Sequence, residues 1–305
     1  MIIADLSQAP VVVRRLDPKA IQTRLAACPR LPSLRSIDSA LRELLNADQR
    51  YTQQIAEVIR RDPSLTARLL RLVNSVYYGL STPVNNLEEA VLYLGLRQIR
   101  QLVMVTPILE DFQRLTGGVR FSWREFWQHC IGTAILTREI MSSLQAPPDE
   151  SDYVAGLVHD MGKIVMAWAF PEHFQAIYQE GDRNAKNLLE LENQILGINH
   201  AELGAMYLKN YNLPKVLVDT ARYHHNPELA GENARIVAAV QIADLLMRLA
   251  RIGKSGSPGE VTEAIWTSAS GWGILFPQGE EEKAIAQAGL KRSLERLPML
   301  LEGLI

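Results

Sequence analysis

The sequence predicts an all-α protein, and three observations carry that expectation. Apolar residues recur at helical spacing in nearly every window, helix-start and helix-stop residues flank those windows, and no period-two alternation lasts long enough for a strand. Short amphipathic helices are expected at DSALRELL (38–45) and YTQQIAEVIRRD (51–62). In DPSLTARLLRLVNSVYYG, Asp62 can cap, Pro63 suits the first helical position, Leu65, Leu69, Leu72 and Val76 form one stripe, and Gly79 closes it. In NNLEEAVLYLGLRQIRQLVMV, Asn86 caps with Glu89 three positions on, and Val91, Leu92 and Leu94 follow as apolar positions. SWREFWQHCIGTAILTREI aligns Phe126, His129, Thr133, Leu136 and Ile140, with Ser122 and Glu125 spaced as a capping box. Asn199 and Glu202 form a similar box, Pro214 opens a helix that Asn226 and Pro227 end, and Val237, Val240, Asp244 and Met247 share a stripe. GKSGSPGE (253–260) reads as a linker, SGWGILFPQGEEE as loop-rich, and KAIAQAGLKRSLERL as a last amphipathic helix packed back on the body.

At 305 residues and 47% hydrophobic, the chain can bury a sizeable core. Its 32 basic and 34 acidic residues leave a formal charge of −2, which disfavours a nucleic-acid or anionic-membrane partner drawn in by a global field. Arg97 and Arg100 near LEEAVLYLGLRQIRQLV could still serve a helix-turn-helix mimic, but no basic stripe accompanies them. Cys28 and Cys130 form no CxxC pair and suit a reduced compartment. Asp5 spoils a leader peptide, and no run reaches the roughly 18 apolar residues of a membrane span, so a cytoplasmic protein is expected.

The histidines are the specific signal. His129 points where Phe126, Leu136 and Ile140 point. His159 and Asp160 stand together inside the apolar run GLVHDMGKIV. His200 falls in a first helical turn, whose dipole disfavours imidazolium and keeps the ring neutral, as a metal requires. His224 and His225 close a helix, and Asp244 replaces a core residue, where a lone carboxylate would cost several kcal/mol. Each alone has a plain alternative: a hydrogen-bonded core histidine, a polar helix end, an aspartate meeting an arginine. Jointly they favour imidazole and carboxylate converging on a transition metal. His173, in FPEHFQ, lacks that context and reads as a surface residue.

LVHDMGK, an upstream histidine and a downstream IAD resemble the HD superfamily of metal-dependent phosphohydrolases. LPSLRSIDSALREL, DPSLTARLLRLVNSVYYG, AVLYLGLRQIRQLV, FWQHCIGTA and HAELGAMYLKNYNLPKVLVDTARYHH narrow the likeness, over roughly residues 25 to 250, to the HDOD family of bacterial output domains. The resemblance implies an extension (1–24), an N-terminal helical lobe (25–118), an HD-like metal-site lobe (119–252) and a C-terminal segment (253–305). It further implies a regulatory or output module in bacterial signalling, many of whose relatives have lost superfamily ligands. Carried over residue by residue, the resemblance implies a complete ligand set here: His129, His159, Asp160 and Asp244 around one divalent metal (Fe, Mn, Zn or Ni), with Asp160 bridging to a second held by His200, His224 and His225. Lys163 matches a phosphate-holding lysine of HD-GYP relatives and Glu125 a further ligand in some of them. HHNPELAGENARIV stands where those relatives carry their glycine-rich GYP segment, which speaks against cyclic-di-GMP hydrolysis. A signalling protein or a small phosphorylated ligand is the expected partner, and a homodimer is left open.

Overall fold

The computed structural model describes residues 13–28, 63–74, 80–95, 121–144, 150–184 and 187–304, with the single positions 59, 99 and 119. Among them every regular element is helical. Apart from Ile59, the helices expected at 38–45 and 51–62 lie outside the described residues, as do Asp62, Val76, Gly79, Arg97 and Arg100.

Local chemistry explains where the first helices begin. α1 (Pro18–Ala26) starts at Asp17, whose side chain accepts from Ala20 N at 2.9 Å, with proline at its first position. α2 (Pro63–Val73) buries Leu69 and Leu72. In α3 (87–95), Asn86 Oδ1 accepts from Glu88 N at 2.7 Å and Glu89 N at 3.3 Å, as its spacing predicts. Val91 and Leu94 face inward, but Leu92 does not: it is 72% exposed. A helix turns about 100° per residue, so the position after Val91 leaves the stripe that Val91 and Leu94 share.

The centre of the molecule is α4 (Trp123–Ser143), packed between α5 (Glu150–Val158) and α11 (Ala234–Leu249). A buried Arg138–Asp152 ion pair at 2.7 Å joins α4 to α5. After α5 come α6 (Met161–Ala169), α7 (Pro171–Asn184), α8 (Leu188–Ile195), α9 (His200–Asn210) and α10 (Lys215–Tyr223), with α9 against both α6 and α10. Two short 3₁₀ turns, Pro227–Leu229 and Gly231–Asn233, lead into α11, and α12 (Glu263–Thr267), α13 (Ser270–Leu275) and α14 (Glu280–Leu304) follow. α14 lies on both α2 and α4, so the C-terminal helix closes back onto the body.

Two glycines in GLVHDMGKIV set how closely these helices cross. A Cβ on Gly156 would fall 2.6 Å from the Ala134 Cα of α4, and one on Gly162 would fall 1.8 Å from the His200 carbonyl oxygen of α9. Both are backbone encounters that only glycine permits. The pair thus brings the His159–Asp160 turn against α4 on one side and α9 on the other.

Four expectations are corrected. SGWGILFPQGEEE, expected to be loop-rich, is helical over Ser270–Leu275 and again from Glu280. His173 is 5% exposed, and its Nε2 meets the Arg14 carbonyl at 2.9 Å, because a segment 159 positions earlier covers the start of α7, which local context could not reveal. Ser122 makes no backbone cap; its hydroxyl engages the Glu125 carboxylate instead. The 253–260 stretch, glycine-rich like a linker, is pinned to the body: Lys254 N donates to Glu125 O at 2.9 Å. No described helix is long and apolar enough to cross a membrane.

Candidate metal centre

The seven histidine and aspartate candidates come together in one buried region. His129, His159 and Asp244 form one group and His200, His224 and His225 another, with the donor atoms of each group within 4.8 Å of one another. Asp160 stands between them. Its Oδ2 lies 3.4 Å from His159 Nε2, and its Oδ1 lies 3.3 Å from His200 Nε2 and 3.7 Å from His224 Nε2. One carboxylate oxygen therefore faces each group.

Local structure explains why Asp160 is available. It occupies the N-cap position of α6, where aspartate ordinarily bonds its own helix's amides, yet it makes no such bond. The side chain instead turns to the three histidines and to Lys163, whose Nζ donates to Oδ2 at 2.7 Å. On α11, Asp244 is buried at the stripe position expected from spacing, and Arg248, one turn on, is 3.9 Å from its Oδ2.

The tautomers follow from who holds the other ring nitrogen. His159 Nδ1 donates to Gly156 O at 2.7 Å, and His224 Nδ1 to Ala221 O at 2.9 Å. Carbonyls only accept, so both Nδ1 atoms carry a proton, and the neutral form of each ring presents its Nε2 lone pair to the centre. Neither Nε2 has a hydrogen-bond partner. His200 Nδ1 meets Glu192 Oε2 at 2.7 Å, which orients its Nε2 to Asp160 Oδ1 and, at 3.1 Å, to His225 Nε2. His129 Nε2 sits 2.9 Å from Asp244 Oδ1 but off the line of a hydrogen bond.

Electrostatics sort His129, His224, His225, Asp160 and Asp244 in the sense a cation requires, with His159 the exception. Burial pushes His129 and His224 below the ordinary histidine value, His224 far below, and takes His225 to about 3. Burial also opposes charge on His159, but the Asp160 carboxylate outweighs it and His159 is raised. For Asp160 burial is again opposed, chiefly by Lys163 and then His159, and the carboxyl is held well below its usual range. Asp244 is lowered too, where the His129 contact and Arg248 overcome burial. Deprotonated carboxylates beside imidazoles that burial keeps neutral at 129, 224 and 225 are a donor set that fits a divalent transition metal.

Two other candidates differ in placement. Lys163 is buried, and its three donors meet Asp160 Oδ2, Ser255 O at 2.9 Å and Ser257 Oγ at 3.2 Å, so its ammonium is fully engaged. Glu125 joins neither group; its carboxylate meets Lys254 Nζ at 3.1 Å and is lowered by that bond first and by Ser122 second.

Glu192 is the residue that sequence reading missed. It is fully buried, and its Oε2 also accepts His200 N at 2.8 Å. The signal was present, because Leu188, Leu191, Glu192 and Ile195 share a helical stripe in which the acid is the odd member. A carboxylate behind a ligating histidine sets ring orientation and basicity. Glu192→Gln should therefore lower metal affinity about 10- to 100-fold with the fold retained, as read by competition with a chromophoric chelator. Unchanged affinity would remove Glu192 from this role.

The comparisons agree with this architecture. The HDOD domain model matches residues 31–227. An uncharacterised protein of Treponema pallidum is 27% identical over 248 residues, which are 78% of this chain and 47% of that one, so the chain spans about half the length of this curated relative. A crystal structure of an HDOD domain protein of unknown function from Geobacter sulfurreducens superposes with TM-score 0.77 at 24% identity, covering 94% of this chain and 97% of the other. A candidate phosphohydrolase from Shewanella amazonensis SB2B superposes with TM-score 0.67 at 21% identity, covering 94% and 98%. A candidate signal-transduction protein from Marinobacter aquaeolei VT8 does so with TM-score 0.68 at 20% identity, covering 96% and 67%. Matched by the family model over most of its length and sharing this all-helical fold, the chain belongs to the HDOD domain family.

Proposed function

We propose that the protein is a bacterial signal-transduction output module whose two histidine groups, bridged by Asp160, hold one or two divalent transition-metal ions. The observation that carries this reading is the pair of buried Nε2 atoms on His159 and His224 without hydrogen-bond partners, each ring fixed by a carbonyl behind it. Buried nitrogens without partners are costly, and a cation between them removes that cost. A regulatory role is favoured over turnover because the centre is closed. Six of the seven side chains are at most 5% exposed, and Lys163 is held by the 253–259 loop and by Asp160. The input would come from a signalling protein or a small phosphorylated ligand, in the cytoplasm.

One observation favours a second reading, a metal-dependent phosphohydrolase. The two oxygens of Asp160 face different groups, as a carboxylate shared by two cations would. Paired metals would supply an activated water and a charge clamp for phosphoryl transfer. Of the chain's own residues, Asp160 would hold both groups in register, and Lys163, once released from Ser255 and Ser257, would carry a positive charge toward a phosphate. A panel of phosphomonoesters and phosphodiesters on metal-loaded protein separates the readings, with Asp160→Ala as control. The regulatory reading predicts no turnover above that control; hydrolysis abolished in Asp160→Ala would replace it with the enzymatic one.

A further inference from the structure

Beside the centre, and not part of it, lies a cavity of about 550 Å³, within the size range of small-molecule sites. Arg248, Arg251, Lys254, Glu125, Phe121 and Tyr178 are among its lining residues, together with the 253–259 loop. Three cations face one carboxylate. Among the described residues, two of those cations are held only by surface pairs, Arg251 with Glu260 and Lys254 with Glu125. Arg251 and Glu260 side chains are both more than three-quarters exposed, and pairs so exposed are weak, so a dianion in the cavity could displace them. Arg248 is less exposed, and its described ion-pair contact is the long one to Asp244.

Tyr178 lines the same cavity through its ring, beside Gly256, while its hydroxyl is buried and has no hydrogen-bond partner among the described residues. Burial first, and then the Glu192 and Asp160 carboxylates, push that phenol far above its ordinary value. The cavity also communicates with the centre through named contacts. Arg248 spans from its wall to Asp244, and the loop that lines it supplies Ser255 and Ser257 to Lys163.

We propose that this cavity is a binding site for a small phosphate monoester, with Arg248 and Lys254 taking the phosphate. Occupancy would pull on Arg248 and on the 253–259 loop, the two contacts that connect it to Asp244 and Lys163. The inference depends neither on hydrolysis nor on a bound metal.

The test is calorimetric titration of the full chain at physiological salt with AMP, ribose 5-phosphate and adenosine, repeated on EDTA-treated protein. The two phosphates should bind with and without EDTA and adenosine should not. Arg248→Gln should weaken the phosphates about tenfold or more, the loss expected for one charge-assisted bond. Lys254→Gln, at a largely exposed position, should weaken them severalfold and keeps the test decisive if Arg248→Gln disturbs Asp244. Failure of both phosphates to bind, binding unchanged in both variants, or binding abolished by EDTA would each overturn the site, the last because the phosphate would then sit on the metal. Phosphate binding by a protein that takes up no divalent transition metal on reconstitution would leave this site standing while removing the metal reading.

Discussion

Gly162→Ala should be among the most damaging single-methyl changes in this protein. The added Cβ would lie 1.8 Å from the His200 carbonyl oxygen and 2.8 Å from Gly204 N, and both obstacles are backbone, which cannot rotate away. α6 and α9 must separate, at a cost of about 3 kcal/mol, the upper end of ordinary overpacking. The same separation carries His200 away from Asp160, so loss of metal affinity should accompany loss of stability. Gly273 provides the internal control. It is also helical, but a Cβ there meets nothing within 4 Å, so Gly273→Ala should be neutral or stabilising by up to about 1 kcal/mol. Urea denaturation of the two variants measures both effects, and equal stability would contradict the close-crossing account.

The second large effect concerns the buried pair Asp160–Lys163. Its partners are both about 1% exposed and 2.7 Å apart, so removing either leaves an uncompensated buried charge. In metal-free protein, Lys163→Met should cost about 3–5 kcal/mol, and Asp160→Asn a similar amount, because Lys163 then keeps only Ser255 O and Ser257 Oγ. The double variant should recover much of that loss, since neither charge remains. With metal bound, the cation itself neutralises Asp160, and the penalty for Lys163→Met should shrink. A double-mutant cycle by urea denaturation, with and without EDTA, reads all four quantities. Additive losses would mean that the two side chains are not coupled.

Much of this was legible before any coordinates, for reasons that differ by residue. His129 and Asp244 could be placed inward because each interrupts a stripe of apolar residues on a long helix, and helical period is a strong signal. Asn199 was legible as a cap: its side chain accepts from Glu202 N at 2.9 Å. The convergence of α4, the 159–160 turn, α9, α10 and α11 on one point was not periodicity but family resemblance, because no local rule brings together side chains more than a hundred positions apart. What escaped was of three kinds. His173 and its partner Arg14 are distant in sequence, so its burial had no local sign. Glu192 did have a local sign, an acid in an apolar stripe, but its helix held no histidine to draw notice. The 253–260 stretch misled because glycine and serine serve a free tether and a tight turn equally well. Here Gly253 and Gly256 take φ of 68° and 78°, which permit a turn laid closely against α4 and Tyr178.

The account stands or falls on whether a cation occupies the space between the two histidine groups. Elemental analysis of protein purified without chelators, and again after EDTA and reconstitution with Fe, Mn, Zn or Ni salts, measures this directly. The account predicts about one to two equivalents of a divalent transition metal per chain, removed by EDTA, restored by reconstitution and lowered in a His200→Ala, His225→Ala variant that still folds. A folded protein that carries no metal as purified and takes none up on reconstitution would contradict it.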